Sequence, residues 1–211
     1  MNPKLKSIFI STNIIIGSYM VLFLISILML TVINLPNQER TVPFINEEFA
    51  SLYKNVTFPM FLSLIVLPIL IEKLIFKNSL HTIGLTLFGN SKKHTILIYS
   101  LVLLGFSILY ISYNNKYQLI LLSLYLVVQC LGEDILFRSV FQRRLHQHFN
   151  PLLAIVVVTV VFVFVFHSDT FLNNLLYRMP LGLLMSFTYY KTQSVFPVFS
   201  IHFINNLYFS I

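Results

Sequence analysis

Two adjacent carboxylates and an arginine interrupt an otherwise apolar stretch of this chain. Glu133 and Asp134 follow residues 119–128, which have the composition of a membrane helix, and Arg138 comes four residues after Asp134. A charge inside a membrane costs free energy, so an ionisable residue there indicates a functional site. A glutamate in such a place can take a proton from water. Which other residues share a site with Glu133 depends on the helices that carry them.

Composition indicates a membrane protein. Of the 211 residues, 57% are hydrophobic and 10% are charged, and the mean hydropathy is +0.83. Soluble domains carry about 25% charged residues, and one membrane-spanning helix takes about 20 apolar residues. We therefore predict an all-α fold, a polytopic integral membrane helical bundle with about seven transmembrane helices and no separate soluble domain.

Seven apolar segments support this prediction. They are residues 8–33, 56–76, 95–113, 117–148, 151–167, 175–190 and 195–211. Residues 1–116 are predicted to form about three N-terminal spans, and residues 117–211 a core of about four spans. Pro151 suits a first helical turn, so the fourth and fifth helices should form an antiparallel hairpin that turns near Asn150. Pro68 inside the second segment predicts a kink there.

Lysines and arginines are concentrated at one end of the predicted bundle. With the N-terminus in the cytoplasm, nine of them fall at cytoplasmic span ends and four on the other side. Cytoplasmic loops carry such an excess, which predicts a multi-pass protein of the cell membrane with a cytoplasmic N-terminus. Because the basic residues are scattered at span ends, they suit the lipid bilayer as a partner, and no nucleic acid is expected.

Two histidines are predicted to lie near the depth of Glu133. Glu133 stands seventeen residues before Asn150, and His167 stands seventeen after it. At about 1.5 Å per residue, both are roughly 25 Å from the bend. His202 is about 12 Å into the last span, and Asn206 follows on the same helix face. We therefore expect these four side chains to converge on one polar cavity: Glu133, His167, His202 and Asn206.

Such a set suits the attack of water on an amide carbonyl. Glu133 can accept a proton from water, and the imidazoles and the amide of Asn206 can donate hydrogen bonds to a developing oxyanion. Asn205 points about 100° away and is the weaker candidate. Two alternatives stay open: Glu133 could only form an ion pair with Arg138, and each histidine alone could be a packing residue.

The residues around this set are predicted to have supporting roles. Asp134 and Arg138 are four apart, a spacing that suits an ion pair within one helix. We expect Asp134 to turn toward Arg138 while Glu133 faces the histidines. The helix end that carries Arg143, Arg144, His146 and His148 is interpreted as a solvated cytoplasmic face.

Three short motifs resemble those of the CPBP intramembrane protease family, also called the CAAX protease and self-immunity (Abi) family. Glu133-Asp134 with Arg138 is similar to its EExxxR motif. His167 is similar to the histidine of FxxxH, and His202 with Asn206 fits HxxxN. Together they span about residues 117–207. The chain departs from the family twice, with Asp134 in place of the second glutamate and Val163 at the phenylalanine position of FxxxH.

The resemblance implies a helical membrane protease in which Glu133 activates water. His167 and His202 would assist it or hold a metal, and Asn206 would support the oxyanion. Glu133, His167 and His202 would make a zinc set with one open position. The same residues also fit a water that Glu133 activates directly, so the resemblance leaves a divalent metal cofactor open.

The favoured hypothesis is an intramembrane endopeptidase that acts on a membrane-associated peptide or protein, in peptide maturation or in bacteriocin self-immunity. Asp134, one methylene shorter than glutamate, permits an alternative. In that alternative the protein is a non-catalytic membrane scaffold of the same fold that binds a toxin, sensor or transporter. A transporter with Glu133 as proton relay is a third option, which the lack of internal repeats disfavours.

Overall fold

The computed structural model describes residues 3–33, 56–165 and 170–211. All regular structure in these residues is helical, which confirms the all-α prediction for them. We number the helical stretches in chain order: α1 (Pro3–Ile33), α2 (Phe58–Ile75), α3 (Lys92–Ser112), α4 (Lys116–His148), α5 (Pro151–Val160, continued by Val161–Val165), α6 (Phe171–Asn173, Asn174–Arg178 and Met179–Thr192 in one run) and α7 (Val195–Ser210).

Four of the helices in the described residues are long and apolar enough to span a membrane. They are Leu5–Ser26 within α1, and the whole of α2, α3 and α4, while α5 is a shorter apolar helix. The chain is therefore a membrane protein. The total of about seven spans stays a prediction.

Helix α4 lies at the centre of the bundle. It contacts α1, α2, α5, α6 and α7, and every residue from Gly132 to Leu145 is buried. Gly132 permits the close approach of α2, because a Cβ there would lie 2.7 Å from the Cβ of Leu64. A helix that is buried on all sides keeps its polar groups in the protein interior and away from lipid. The charges of α4 must therefore find partners on neighbouring helices.

Both α2 and α4 contain π-helical segments. In α4 the segment is Ile135–Gln142, and it ends where the N–H of Arg143 donates to the carbonyl of Arg138, five residues back. In α2, π-helical turns lie on both sides of Pro68, which has no N–H to donate. Each residue of a π-helix turns less about the axis than a residue of an α-helix. A prediction that assumes 3.6 residues per turn therefore assigns the wrong direction to side chains that follow a π-helical segment.

The hairpin between α4 and α5 turns where it was predicted. Oδ1 of Asn150 accepts a hydrogen bond from the N–H of Leu152 at 2.9 Å, and Pro151 occupies the first turn of α5. The side chain of Asn150 thus satisfies a backbone donor that the start of a helix leaves without a partner. The predicted turn is confirmed.

The connection between α2 and α3 packs against the turn that precedes α7. The N–H of Asn90 donates to the carbonyl of Thr192 at 2.7 Å, and that of Val195 to the carbonyl of Gly84 at 2.9 Å. Gly84 and Gly89 have φ of 76° and 57°, a conformation that favours glycine. A Cβ at Gly89 would collide with the carbonyl oxygen of Thr192. This packing fixes the start of α7, and so the height of the site residues on that helix.

The prediction of a solvated face at Arg143 and Arg144 is wrong. Both side chains are buried, and each contacts Glu72 of α2, at 2.7 Å for Arg143 and 2.5 Å for Arg144. Nδ2 of Asn78 donates to the same carboxylate at 2.7 Å. These four residues are called the Glu72 cluster below. These contacts could not be predicted from the sequence, because Glu72 lies on another helix and 71 residues away from Arg143.

Candidate active site

The structure brings Glu133 of α4 and His202 of α7 together. Nε2 of His202 lies 3.8 Å from Oε2 of Glu133. Both residues are buried, with exposed fractions of 9% and 3%. Because burial weakens the screening of charge, the carboxylate and the imidazole affect each other strongly at this distance.

Asp134 contacts both Arg138 and His202. Its Oδ2 lies 3.2 Å from Nδ1 of His202, and its Oδ1 lies 3.6 Å from Nε of Arg138. The expected contact with Arg138 is present, but the expectation that only Glu133 would face His202 is wrong. The imidazole ring explains the difference, since it presents Nε2 to Glu133 and Nδ1 to Asp134. The cluster of Glu133, Asp134, Arg138 and His202 is called the Glu133 cluster below.

The two oxygens of Glu133 differ in their surroundings. Nε2 of Gln129, one helical turn earlier, donates to Oε1 at 3.2 Å. Oε2 is buried and has no hydrogen-bond partner among the described residues. Buried polar atoms are nearly always hydrogen-bonded, so an exception calls for an explanation such as a catalytic role. Oε2 is the oxygen that faces His202, and it is free to accept a proton.

Arg138 is held by residues of α5 and α6. Its Nη1 donates to Oγ of Ser186 at 2.7 Å, and that hydroxyl lies 2.9 Å from Oγ1 of Thr159. Gly182 permits this approach of α5 and α6, because a Cβ there would lie 2.9 Å from Cγ2 of Thr159. The single guanidinium is thereby fixed beside Asp134, which it partly neutralises.

An aromatic side chain closes one side of the Glu133 cluster. The ring of Phe162 lies edge-on to His202 at 5.8 Å and to Phe137 at 5.0 Å. Cζ of Arg138 lies 5.3 Å from its centre. Phe162 is buried and packs within the protein. Its ring shields the charges from lipid and water, which strengthens the electrostatic interactions inside the site.

A polar cavity of about 460 Å³ opens beside His202. Its walls include Asn205, Asn206, Tyr177 and Arg178. Nδ2 of Asn206 donates to Sγ of Cys130 at 3.4 Å, and Nδ2 of Asn205 donates to Oδ1 of Asn206 at 3.3 Å. Asn205 was expected to point away, yet both amides reach the cavity. The volume is within the range of small-ligand sites.

His167, the fourth predicted catalytic residue, lies outside the described residues. Among those that are described, no three His, Cys, Asp or Glu side chains form a group that could hold a metal ion. Of the three proposed zinc ligands, the described residues supply Glu133 and His202, which are close together. The zinc set therefore stays a prediction.

Several residues of the site were missed in the sequence. Gln129 could have been found, because it stands four residues before Glu133 on the same helix. Ser186 and Thr159 carried no such sign, since small hydroxyl residues are common in membrane helices and only the packing of α4, α5 and α6 brings them to Arg138. Arg178, which lines the cavity beside His202, was also not predicted as a site residue.

Comparison with known proteins gives a match to the segment of the chain that carries this site. Residues 114–208 match the family model of the "Type II CAAX prenyl endopeptidase Rce1-like" proteins. The matched segment contains α4, α5, α6 and most of α7, up to residue 208. Glu133 and His202 are among its residues. No curated protein and no solved structure matches the chain. This match confirms, for residues 114–208, the resemblance to the CPBP/CAAX protease family.

Proposed function

We propose that the protein is an intramembrane endopeptidase that hydrolyses peptide bonds in a membrane-associated peptide or protein. One observation carries the proposal: a buried glutamate oxygen without a hydrogen-bond partner faces His202, and His202 lines a cavity that Asn205 and Asn206 also line. The match of residues 114–208 to a family of endopeptidases supports the same class of reaction. In the ion pairs of Glu72 each carboxylate oxygen has a guanidinium nitrogen within 2.7 Å, whereas Oε2 of Glu133 lies 3.8 Å from its imidazole partner.

Glu133 is the general base of the proposed reaction. Its Oε2 accepts a proton from a water molecule in the cavity, and the water oxygen forms a bond to the carbonyl carbon of the substrate. The protonated carboxyl group then gives this proton to the leaving amine as the C–N bond breaks. Gln129 holds the other oxygen, which orients the carboxylate for both transfers.

His202 and Asn206 are the proposed donors to the oxyanion. In protonated His202 both ring nitrogens carry a hydrogen. Nδ1 then donates to Asp134, and the hydrogen on Nε2 can be directed at the developing charge. The amide of Asn206 donates to the sulfur of Cys130, which is a weak acceptor. An oxyanion is a stronger acceptor, so the exchange favours the transition state over the ground state.

A zinc-dependent version of this proposal uses Glu133, His167 and His202 as ligands. Bound zinc would supply a Lewis acid that polarises the carbonyl group or activates water. Elemental analysis of the purified protein and of its His167→Ala variant distinguishes the versions. One equivalent of zinc that is lost with His167 supports the metal version, and cleavage by zinc-free protein contradicts it.

The function is tested with protein reconstituted in lipid vesicles and a library of membrane-anchored peptides. The unsubstituted protein should cleave at least one peptide, and Glu133→Ala and His202→Ala should abolish cleavage. His146→Ala is the matched control, because His146 lies on α4 beyond the site and contacts Gln142 and Tyr190. Cleavage that persists in both folded site variants would contradict the proposal and favour a binding role.

The proposed place of the protein is the cell membrane, with the N-terminus in the cytoplasm. The excess of lysine and arginine at one end of the bundle supports this orientation. Peptide maturation and bacteriocin self-immunity are the biological roles that fit an endopeptidase in such a membrane. A reporter that works only in the cytoplasm should be active when it is fused to the N-terminus. Activity of a fused reporter that works only outside the cell would contradict the orientation.

A further inference from the structure

A second and larger cavity lies between α3, α6 and α7, away from Glu133. Its volume is about 560 Å³, and His94 at the start of α3 and Lys191 at the end of α6 are the ionisable residues that line it. Most of the remaining wall is apolar and includes Ile98, Leu101, Leu184, Phe187, Ile201 and Ile204. It is called the α3–α6 groove below. Leu101 is 59% exposed and Leu184 51%, so the groove is open to the side of the bundle.

Positive charge at one end of this groove has no carboxylate partner among the residues that the structure describes. The acidic residues in the described ranges are Glu72, Glu133 and Asp134, and all three are paired within the two clusters on α4. Nζ of Lys191 instead lies over the aromatic rings of Phe187 and Tyr190, at 5.4 and 5.7 Å from their centres.

His94 adds a hydrogen-bonding group beside this charge. Oγ of Ser91 lies 2.5 Å from its Nδ1, so Nε2 is the ring nitrogen that remains for a ligand. Lys92 and Lys93 precede it and are exposed. An occupant with negative charge at this end and an apolar chain beyond it would satisfy both parts of the groove.

We propose that the α3–α6 groove binds one anionic phospholipid. Its phosphate lies at Lys191 and His94, and one acyl chain lies along the apolar wall between α3 and α6. A neutral lipid would leave the lysine without a counter-charge, and a soluble anion would leave the apolar wall uncovered. Basic residues near a membrane surface attract anionic lipids, and lysine can bury its stem in apolar surroundings while its charge stays at the surface.

The lipid would lie close to the proposed active site. Ile201 and Ile204 line the groove on the same helix as His202. A further cavity of about 460 Å³ shares these two isoleucines with the groove, and shares Leu181 and Asn205 with the cavity beside His202. A bound chain would therefore support α7 on the side away from Glu133. This site does not depend on the proposed reaction.

Tryptophan fluorescence can test the proposal, since the chain contains no tryptophan. Leu101→Trp places a single reporter in the groove. Ile96→Trp is the matched control, because Ile96 is 53% exposed and lies about 140° away around the same helix. Each variant is reconstituted in phosphatidylcholine with a small fraction of brominated phosphatidylglycerol, which quenches tryptophan on contact.

We expect the brominated anionic lipid to be enriched about fivefold at Leu101→Trp over its bulk fraction, as one nearby basic residue predicts. Ile96→Trp should report the bulk fraction. Adding Lys191→Gln should remove the enrichment, while Lys73→Gln, at an exposed lysine of α2, should leave it intact. Equal quenching at both positions, or enrichment that survives Lys191→Gln, would overturn the proposal.

A second measurement needs no reporter. The thermal midpoint of the unsubstituted protein in detergent should rise more with added phosphatidylglycerol than with phosphatidylcholine. Lys191→Gln should abolish the difference, and Lys73→Gln should retain it. The same response to both lipids in the unsubstituted protein contradicts a site for anionic lipid, whatever the outcome of the peptide-cleavage assay.

Discussion

The Glu72 cluster and the Glu133 cluster both include residues of α4, but they have opposite ratios of acidic to basic groups. In the first, one carboxylate meets two guanidinium groups, and the contacts are 2.7 and 2.5 Å. In the second, two carboxylates meet one guanidinium and one imidazole, and the contacts are between 3.2 and 3.8 Å. Each cluster has a buried carboxylate oxygen without a hydrogen bond, Oε1 of Glu72 and Oε2 of Glu133 among them. The first oxygen lies 2.5 Å from Nη1 of Arg144, whereas the second lies 3.8 Å from Nε2 of His202.

This difference separates a structural role from a chemical one. A buried charge is tolerated when its partners are close and complete, and removing one partner is then strongly destabilising. Stability alone gives no reason to bury a carboxylate oxygen without a partner, and such exceptions are typical of functional sites. We therefore expect substitutions in the Glu72 cluster to act on folding, and substitutions in the Glu133 cluster to act on the reaction.

The largest effect on folding is expected for Glu72→Gln. It keeps the shape of the side chain but leaves Arg143 and Arg144 buried without a carboxylate. The free energy of unfolding should fall by about 3–5 kcal/mol, measured by denaturation in detergent micelles. A loss no larger than that of Glu133→Gln would remove the distinction between the clusters.

The largest effect on the reaction is expected for Glu133→Gln. The amide cannot accept a proton from water, so the cleavage rate should fall about 10²–10⁴-fold. The free energy of unfolding should change by less than about 1 kcal/mol, because one negative charge leaves a cluster that has two. Steady-state cleavage and denaturation of the same preparation check both statements. A folded variant that cleaves at the normal rate contradicts the assignment of the base.

Asn206→Ala should have the next largest effect on the reaction. Losing one donor to an oxyanion lowers the rate about 10²–10³-fold. Asn205→Ala is the matched control on the same cavity wall and should leave the rate close to that of the unsubstituted protein. Equal losses in the two variants would mean that the amides shape the cavity and do not act on the oxyanion. The measurement is the turnover number at saturating peptide.

The smallest effect is expected for Ser186→Ala. It removes the hydroxyl that accepts a hydrogen bond from Arg138, so the buried guanidinium loses one acceptor. The free energy of unfolding should fall by about 1–2 kcal/mol. Ser200→Ala, where the hydroxyl donates only within its own helix, should change it little. If Ser186→Ala is neutral, Arg138 does not depend on α6 for its position.

The parts of the fold that depend on one segment of chain could be predicted from the sequence. Long apolar runs gave the helices, and Asn150 followed by Pro151 gave the hairpin. Counting residues from that bend for Glu133, and from the start of the last span for His202, predicted that the two lie near one depth, since rise per residue is nearly constant along a helix. The depth of a residue in the bundle is therefore easier to predict from the sequence than the direction in which its side chain points around the helix axis.

The parts that depend on two helices could not be predicted in this way. Arg143 and Arg144 have no acidic residue nearby in sequence, so nothing indicated the contact with Glu72. Asn205 was expected to face away because it lies about 100° from Asn206 around α7, yet the cavity is wide enough for both to line it. Asp134 was expected to contact only Arg138, but Nδ1 of His202 on α7 also lies 3.2 Å from its carboxylate.

The collision between a side chain at Gly89 and the carbonyl of Thr192 has a consequence for genetic screens. Any substitution there forces the α2–α3 connection away from the turn before α7, and activity would be lost although Gly89 touches no substrate. A scan of all positions scored by activity alone would rank this glycine with Glu133. Scoring protein abundance alongside activity separates the two, because loss at Gly89 lowers both and loss at Glu133 lowers activity alone.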